Sequence, residues 1–239
     1  MNIGLVTTFN KSLYKKYAYK FIETYNWKFD LHVYSENLLE IPNSNIIVRS
    51  TFDEIPSCKQ FIERNKHKEV DNSPEGYLKD AVRFCYKVYV YTDMILQNED
   101  YDGLICIDAD SVFYKSIDDE WIKNHIHRDD CMMSYLGRGD HYSECGFLYF
   151  NLRHPRVKDY ALEMKKMYNE DLVYNEIEWH DSYIWDVVRK RFEKDGVKNH
   201  NIGDNRKGHV QARSILGEVY DHIKGPKRKT MMRSPEARV

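Results

Sequence analysis

The 239-residue sequence has no apolar run approaching the ~20 residues that span a bilayer. Its opening Met-Asn-Ile-Gly-Leu-Val lacks the charged, apolar and small-residue pattern of a secretory leader. Both absences point to a cytoplasmic chain without a membrane span. Five cysteines (Cys58, Cys85, Cys106, Cys131, Cys145) are odd in number, scattered, and form no C-x-x-C pair. That suits reduced thiols rather than a disulfide framework or a zinc site. A surplus of charge is missing too: 36 basic against 38 acidic side chains leave a formal -2, without the overall cationic field that non-specific nucleic-acid binding draws on. There is no internal repeat and no low-complexity segment.

Aromatic residues, by contrast, are plentiful. Nineteen Tyr, ten Phe and four Trp mark a chain that folds, and its length is enough for one domain with a substantial core. Apolar-to-polar runs at Ile3 to Thr8, Leu31 to Tyr34 and Ile46 to Val48 predict strands. Leu13, Tyr17, Phe21 and Tyr25 fall at helical spacing within a Ser12–Tyr25 stretch. Residues 63–76 read as a polar loop ending in Asn-Ser-Pro-Glu-Gly, followed by a helix over Tyr77 to about Leu96 that puts Lys79 and Arg83 on one face, one turn apart. Leu104-Ile105-Cys106-Ile107 is a continuous apolar run, as in a strand covered on both faces, and it stops at Asp108-Ala109-Asp110. Gly146 to Leu152 predicts another buried strand, with helices near Val157 to Asn169 and His180 to Phe192. Strands alternating with helices indicate an α/β fold.

Chemistry concentrates at Asp108-Ala-Asp110, because ligands of open α/β sheets bind beyond the carboxyl ends of the strands. Two carboxylates so close repel one another, and a divalent cation between them and a polyphosphate makes the arrangement favourable. A turn or helix cap is the plainer reading of the same two residues. Near the other end, His222-Ile-Lys-Gly225-Pro-Lys227 sets an imidazole, a glycine and an ammonium at short separations.

Together, Leu104-Ile-Cys-Ile-Asp108-Ala-Asp110 and His222-x-x-Gly225-x-Lys227 resemble the metal and diphosphate apparatus of GT-A-fold glycosyltransferases, in particular the glycogenin-like and bacterial galactosyltransferase group of retaining enzymes. The resemblance implies a single GT-A, Rossmann-like domain over residues 1–224 with a mostly parallel central sheet flanked by helices. Residues 225–239 would form a basic tail, partly closing over the donor and partly flexible. It implies Mn²⁺, with Mg²⁺ able to substitute, held by Asp108, Asp110 and His222, and a UDP-sugar donor whose diphosphate meets Gly225 and Lys227. Thr7, Thr8 and Phe9 stand where the family grips base and ribose, Ala109 lies between the two acids, and Lys79 with Arg83 resembles its basic helix over the donor. Cys145-Gly146-Phe-Leu-Tyr-Phe-Asn151-Leu152 is similar to the family's asparagine-x-glycine strand, with Glu144 in place of that asparagine. His180-Asp181-Ser182 resembles its segment opening a helix beside the sugar.

The chain departs from the family after Lys227, where Arg228 and Lys229 replace the usual proline and tryptophan. No acceptor-facing segment matches, so glycan, protein and modified nucleic acid all stay open as acceptors. The implied reaction is hexose transfer with retention, the departing phosphate helping to take the acceptor's proton. An inverting enzyme would instead need a carboxylate base, and Asp181 or Glu144 is placed for it. Two other functions are compatible with parts of the chain. A phosphohydrolase of the haloacid-dehalogenase type would use Asp108 and Asp110, although Val112 replaces its expected Thr. A nucleic-acid-binding protein would use the basic tail.

Overall fold

The computed structural model describes residues 1–37, 41, 46–68, 73–97, 99–223 and 232–236. Within these the strands are β1 (Ile3–Thr8), β2 (Asp30–Ser35), β3 (Ile46–Ser50), β4 (Gly103–Ile107), β5 (Ser111–Phe113), β6 (Met133–Arg138), β7 (His141–Asn151), β8 (His200–Asn201) and β9 (Tyr220–His222). Seven of them make one sheet in the order β3-β2-β1-β4-β7-β6-β8, while β5 and β9 form a separate antiparallel ribbon. Pairing is parallel from β3 through β4 and again between β6 and β8, and only β7 runs against its neighbours. The expected α/β architecture with a mostly parallel sheet is therefore present.

Side chains of the central strands divide between two cores by parity, as a pleated strand requires. Leu104, Cys106, Leu148 and Phe150 pack into the layer beneath the Pro56–Asn65, Ala81–Gln97, Val157–Asn169 and Asp181–Lys194 helices. Ile105, Ile107, Phe147 and Tyr149 face the opposite layer, with Phe21, Trp27 and Ile122. This two-sided burial is why the apolar run before Asp108 is unbroken. No helix among the described residues is long and apolar enough to cross a membrane.

Several local expectations change. The Ser12–Tyr25 helix is interrupted: Lys11–Leu13 and Tyr19–Thr24 are α-helical, and Tyr14–Ala18 between them is a π-helical turn. The helix expected from Tyr77 begins at Ala81, because the Asp80 carboxylate accepts the Arg83 N–H at 3.0 Å and caps it there. Gly76–Lys79 forms a separate 3₁₀ turn ahead of the cap. The expected 63–76 loop starts later, since the Pro56–Asn65 helix runs into it.

Candidate metal centre and its cleft

The chain leaves β4 at Asp108, turns through Ala109 and Asp110, and enters β5 at once. Ser111 fastens this turn by donating its hydroxyl to the Asp108 carbonyl at 2.8 Å. β5 pairs with β9 so that Ser111 lies opposite His222, and the Ile223 N–H donates to the Asp110 carbonyl at 2.8 Å. The strand end and the late histidine are thus tied together through backbone. Gln211 adds a side-chain brace, its Oε1 accepting the His222 N–H at 2.8 Å while its Nε2 donates to the Tyr220 carbonyl at 3.0 Å.

The His222 Nε2 lies 2.9 Å from Asp110 Oδ1 and 3.5 Å from Asp108 Oδ2. One ligand atom from each of the three residues falls within 4.8 Å of the others. Adjacent ligands held about 2.2 Å from one hard dication sit roughly 3 Å apart, so the set fits a single cation, and its mixed oxygen and nitrogen character suits Mn²⁺ or Mg²⁺ rather than a thiolate-seeking metal. The Asp108 and Asp110 side chains are 20% and 18% exposed, whereas that of His222 is 3% exposed, so the acids face the cleft and the ring is fixed behind them. On the far side of the ring Glu144 Oε1 lies 3.7 Å from Nδ1, an anionic environment for a ring proton placed away from a metal.

Gly146 belongs to the same arrangement. A Cβ there would run into Nδ1 and Cε1 of the His222 ring, so the missing side chain is the space the imidazole occupies. The Gly146 carbonyl also accepts the Asp108 N–H at 3.1 Å. Glu144 is 2% exposed and turned inward: Oε1 accepts the Gly146 N–H at 3.1 Å and Oε2 pairs with Arg138 at 3.4 Å.

Lys87 is the component that sequence reasoning did not select. Its ammonium lies 2.6 Å from Asp108 Oδ1 and 2.6 Å from Asp181 Oδ2, bridging the two acids with a side chain only 16% exposed. The signal was available, since Lys87 continues the four-residue spacing of Lys79 and Arg83 by one more turn. Burial would pull the Lys87 ammonium down, and Asp108 and Asp181 overcome it, raising the group well above the usual lysine range. Burial likewise pushes Asp108 up; Lys87 and His222 pull it back, Asp110 and Asp181 add to the rise, and the net shift is upward. Asp181 ends lower than an ordinary carboxyl despite its burial, held down by Lys87 and by the Cys145 thiol, which donates to Oδ2 at 3.0 Å.

These groups open onto a cleft of about 1010 Å³. Thr8, Phe9, Arg83, Ala109, Glu144 and Asp181 line it, together with Asp108, Asp110 and His222. Three residues singled out in the sequence do not: Gly146 sits against the His222 ring, and Thr7 and Lys79 lie elsewhere. Thr7 is fully buried, because β1 is covered on both faces and opens toward the cleft only at its last residue, Thr8. Lys79 precedes the helix cap and lays its ammonium over the Trp179 ring, 4.5 Å from the centroid, instead of sharing a helical face with Arg83. Gly225 and Lys227 lie outside the described residues. Of the tail that is described, Ser234 returns to the body: its N–H donates to Asp221 Oδ2 at 2.6 Å and its hydroxyl meets His209 Nε2 at 3.1 Å.

No protein-family model matches the chain, and no curated protein matches it in sequence. Among solved structures it is similar to mouse xyloside xylosyltransferase 1 in its apo form, with a TM-score of 0.49 and 11% identity over 85% of this chain and 86% of that one. It is also similar to the bifunctional glycosyltransferase WbbM, at 0.46 and 10% over 78% of this chain and 37% of that one. A third similar structure is the galactosyltransferase LgtC in complex with donor and acceptor sugar analogues, at 0.43 and 15% over 77% and 69%.

Proposed function

We propose that this chain is a metal-dependent glycosyltransferase of the GT-A type, moving a hexose from a UDP-sugar to an acceptor hydroxyl with retention of configuration. The observation that carries the reading is the convergence of Asp108, Asp110 and His222 at the mouth of a cleft large enough for a nucleotide sugar. Asp108, Asp110 and His222 would hold Mn²⁺, and a cation bound there stabilises the negative charge that develops on a departing diphosphate.

The chain's own residues do the rest. Lys87 takes one oxygen of Asp108 and leaves the other directed toward His222, so the acid pair is oriented before any ligand arrives. Through its second contact Lys87 keeps Asp181 ionised at the cleft wall, a negative charge suited to a glycosyl carbon that becomes oxocarbenium-like. Arg83, exposed at the cleft edge, supplies positive charge toward the diphosphate. Thr8 and Phe9, at the end of β1, take the nucleoside. Glu144 is spent on Arg138 and on the Gly146 N–H behind His222, which suits an orienting role better than that of a base.

Calorimetric titration of UDP in the presence and absence of Mn²⁺ tests the reading. His222→Ala, Asp108→Asn and Asp110→Asn should each weaken Mn²⁺-dependent UDP binding at least tenfold while the protein stays folded. Undiminished binding in all three would refute the metal site. A phosphohydrolase working through the same acids would instead turn over a generic aryl phosphate and ignore UDP.

A further inference from the structure

β4 lies between β1 and β7 in the sheet, so the cleft beyond Asp108 has two sides. The β1 side carries Thr8 and Phe9. The β7 side is built differently. β7 pairs with β4 only from Phe147 onward, with Phe147 opposite Ile107, so its first residues overhang the carboxyl end of β4. Tyr142 on this overhang meets the His180 ring edge to face at a centroid distance of 4.4 Å. Tyr77 and Phe84 approach the same imidazole at 6.0 and 6.1 Å, and the Tyr77 and Tyr142 hydroxyls are 3.4 Å apart. All four rings border the cleft, but His180 is only 2% exposed while Tyr77 is 39% exposed and Phe84 and Tyr142 are half-buried. The faces open to a ligand are therefore those of Tyr77, Phe84 and Tyr142, with His180 packed among them.

Charges on this side are already matched. Arg138 stacks over Tyr142 at 4.7 Å and pairs with Glu144, while the His180 Nε2 lies 2.7 Å from Glu178 Oε2. Arg83 and Lys87 are the remaining cations lining the cleft among the described residues, and the reading above assigns them to the diphosphate and to the acid pair. A polyanion would find little free field here. What remains is a wall of aromatic faces rimmed by hydroxyls and paired polar groups, with one apolar side and one wet edge. A pyranose has the complementary form, a face of C–H groups bounded by hydroxyls.

We infer that the Tyr77–Tyr142 wall, with the buried His180 ring packed against both, is the acceptor subsite and that the acceptor is a sugar, making the enzyme one that extends a glycan. This inference rests on the glycosyltransferase reading. In the transfer, the bond from the glycosyl carbon to the diphosphate oxygen breaks with its electron pair passing to the diphosphate. The hydroxyl oxygen of the sugar on the wall forms the new bond, and its proton goes to the released diphosphate.

Saturation-transfer NMR with UDP and Mg²⁺ present tests this, using the methyl β-glycosides of glucose, galactose and N-acetylglucosamine as probes beside a dinucleotide and a serine-containing tetrapeptide. At least one glycoside should receive saturation on its ring C–H protons. Tyr77→Ala should cut that signal at least fivefold and Tyr142→Phe should keep it, with UDP affinity by calorimetry within twofold of the parent in both. If UDP binds but no glycoside is saturated, or if the signal survives Tyr77→Ala, or if the dinucleotide or peptide takes the wall instead, the acceptor inference is overturned and the donor reading stands. Loss of UDP binding in Tyr77→Ala would move that residue to the donor side and overturn it as well. Failure of the parent protein to bind UDP at all brings down the glycosyltransferase reading first.

Discussion

Ser111 and His222 face each other across the β5–β9 ribbon, and this pairing of two distant parts of the chain puts an imidazole against the acids at the end of β4. The link runs through backbone, and the Ile223 N–H bond to the Asp110 carbonyl reinforces it, so the His222 main chain is held beside the acids by the fold itself. The centre is preorganised by the fold: the ribbon fixes the His222 main chain, Gly146 makes room for the ring, and Lys87 orients Asp108.

That room is testable at one position. Gly146→Ala puts a methyl group where the imidazole lies, with Glu144 Oε1 only 3.1 Å away on another side. Overpacking of this kind costs about 1–3 kcal/mol. The variant should remain folded, with a displaced ring and Mn²⁺-dependent UDP binding reduced at least tenfold by calorimetry. Binding equal to that of the parent would show that the ring's position is not set by this glycine.

Removing the bridging cation tests the electrostatics. Lys87→Met leaves Asp108 and Asp181 mostly buried without the ammonium between them. Deleting one partner of a buried pair costs about 3–5 kcal/mol. Urea unfolding at neutral pH should register that loss, and millimolar Mn²⁺ should recover more stability in the variant than in the parent. Equal stability of the two proteins would mean that the acids are screened by solvent rather than by Lys87.

A pH dependence follows from the other end of the sheet. His32 is 2% exposed, with Nδ1 accepting from Arg49 Nε at 3.1 Å and Nε2 lying 2.8 Å from the Tyr101 hydroxyl. Burial, assisted by the Arg49 charge, lowers its pKa from the ordinary 6.5 to about 4. The folded ring binds a proton less readily than the unfolded one, so its contribution is fully present above pH 6.5 and is lost as pH falls toward about 4. The difference amounts to roughly 3 kcal/mol. Urea unfolding at pH 7 and pH 4.5 should show this decline, and His32→Gln should flatten it. An unchanged slope in the variant would assign the decline to other groups.

The sequence alone determined what depends on neighbours along the chain. An unbroken apolar run ending in Asp108-Ala-Asp110 marks a doubly covered strand and the place where it leaves the core, and both appear where expected because burial on two faces allows no polar residue before the end. Alternating strands and helices likewise announced the α/β architecture. Local patterns failed where one residue changed the phase: Asp80 caps the helix at Ala81 and strands Lys79 in the turn before it, so two lysines with the same spacing from Arg83 have different fates.

Tertiary structure decided everything that depends on groups meeting from distant parts of the chain. Nothing local to Tyr220-Asp221-His222 identifies a strand, since three residues carry too little periodicity, and only pairing with β5 makes it one. Lys87 acquires its importance from Asp108 and Asp181, which reach it from a strand end and from the start of another helix. Gly146 becomes meaningful through the ring that fills its missing side chain. A sequence records which groups exist and their local periodicity, but charge coupling and packing act over a few ångströms of space, and only the folded chain sets those distances.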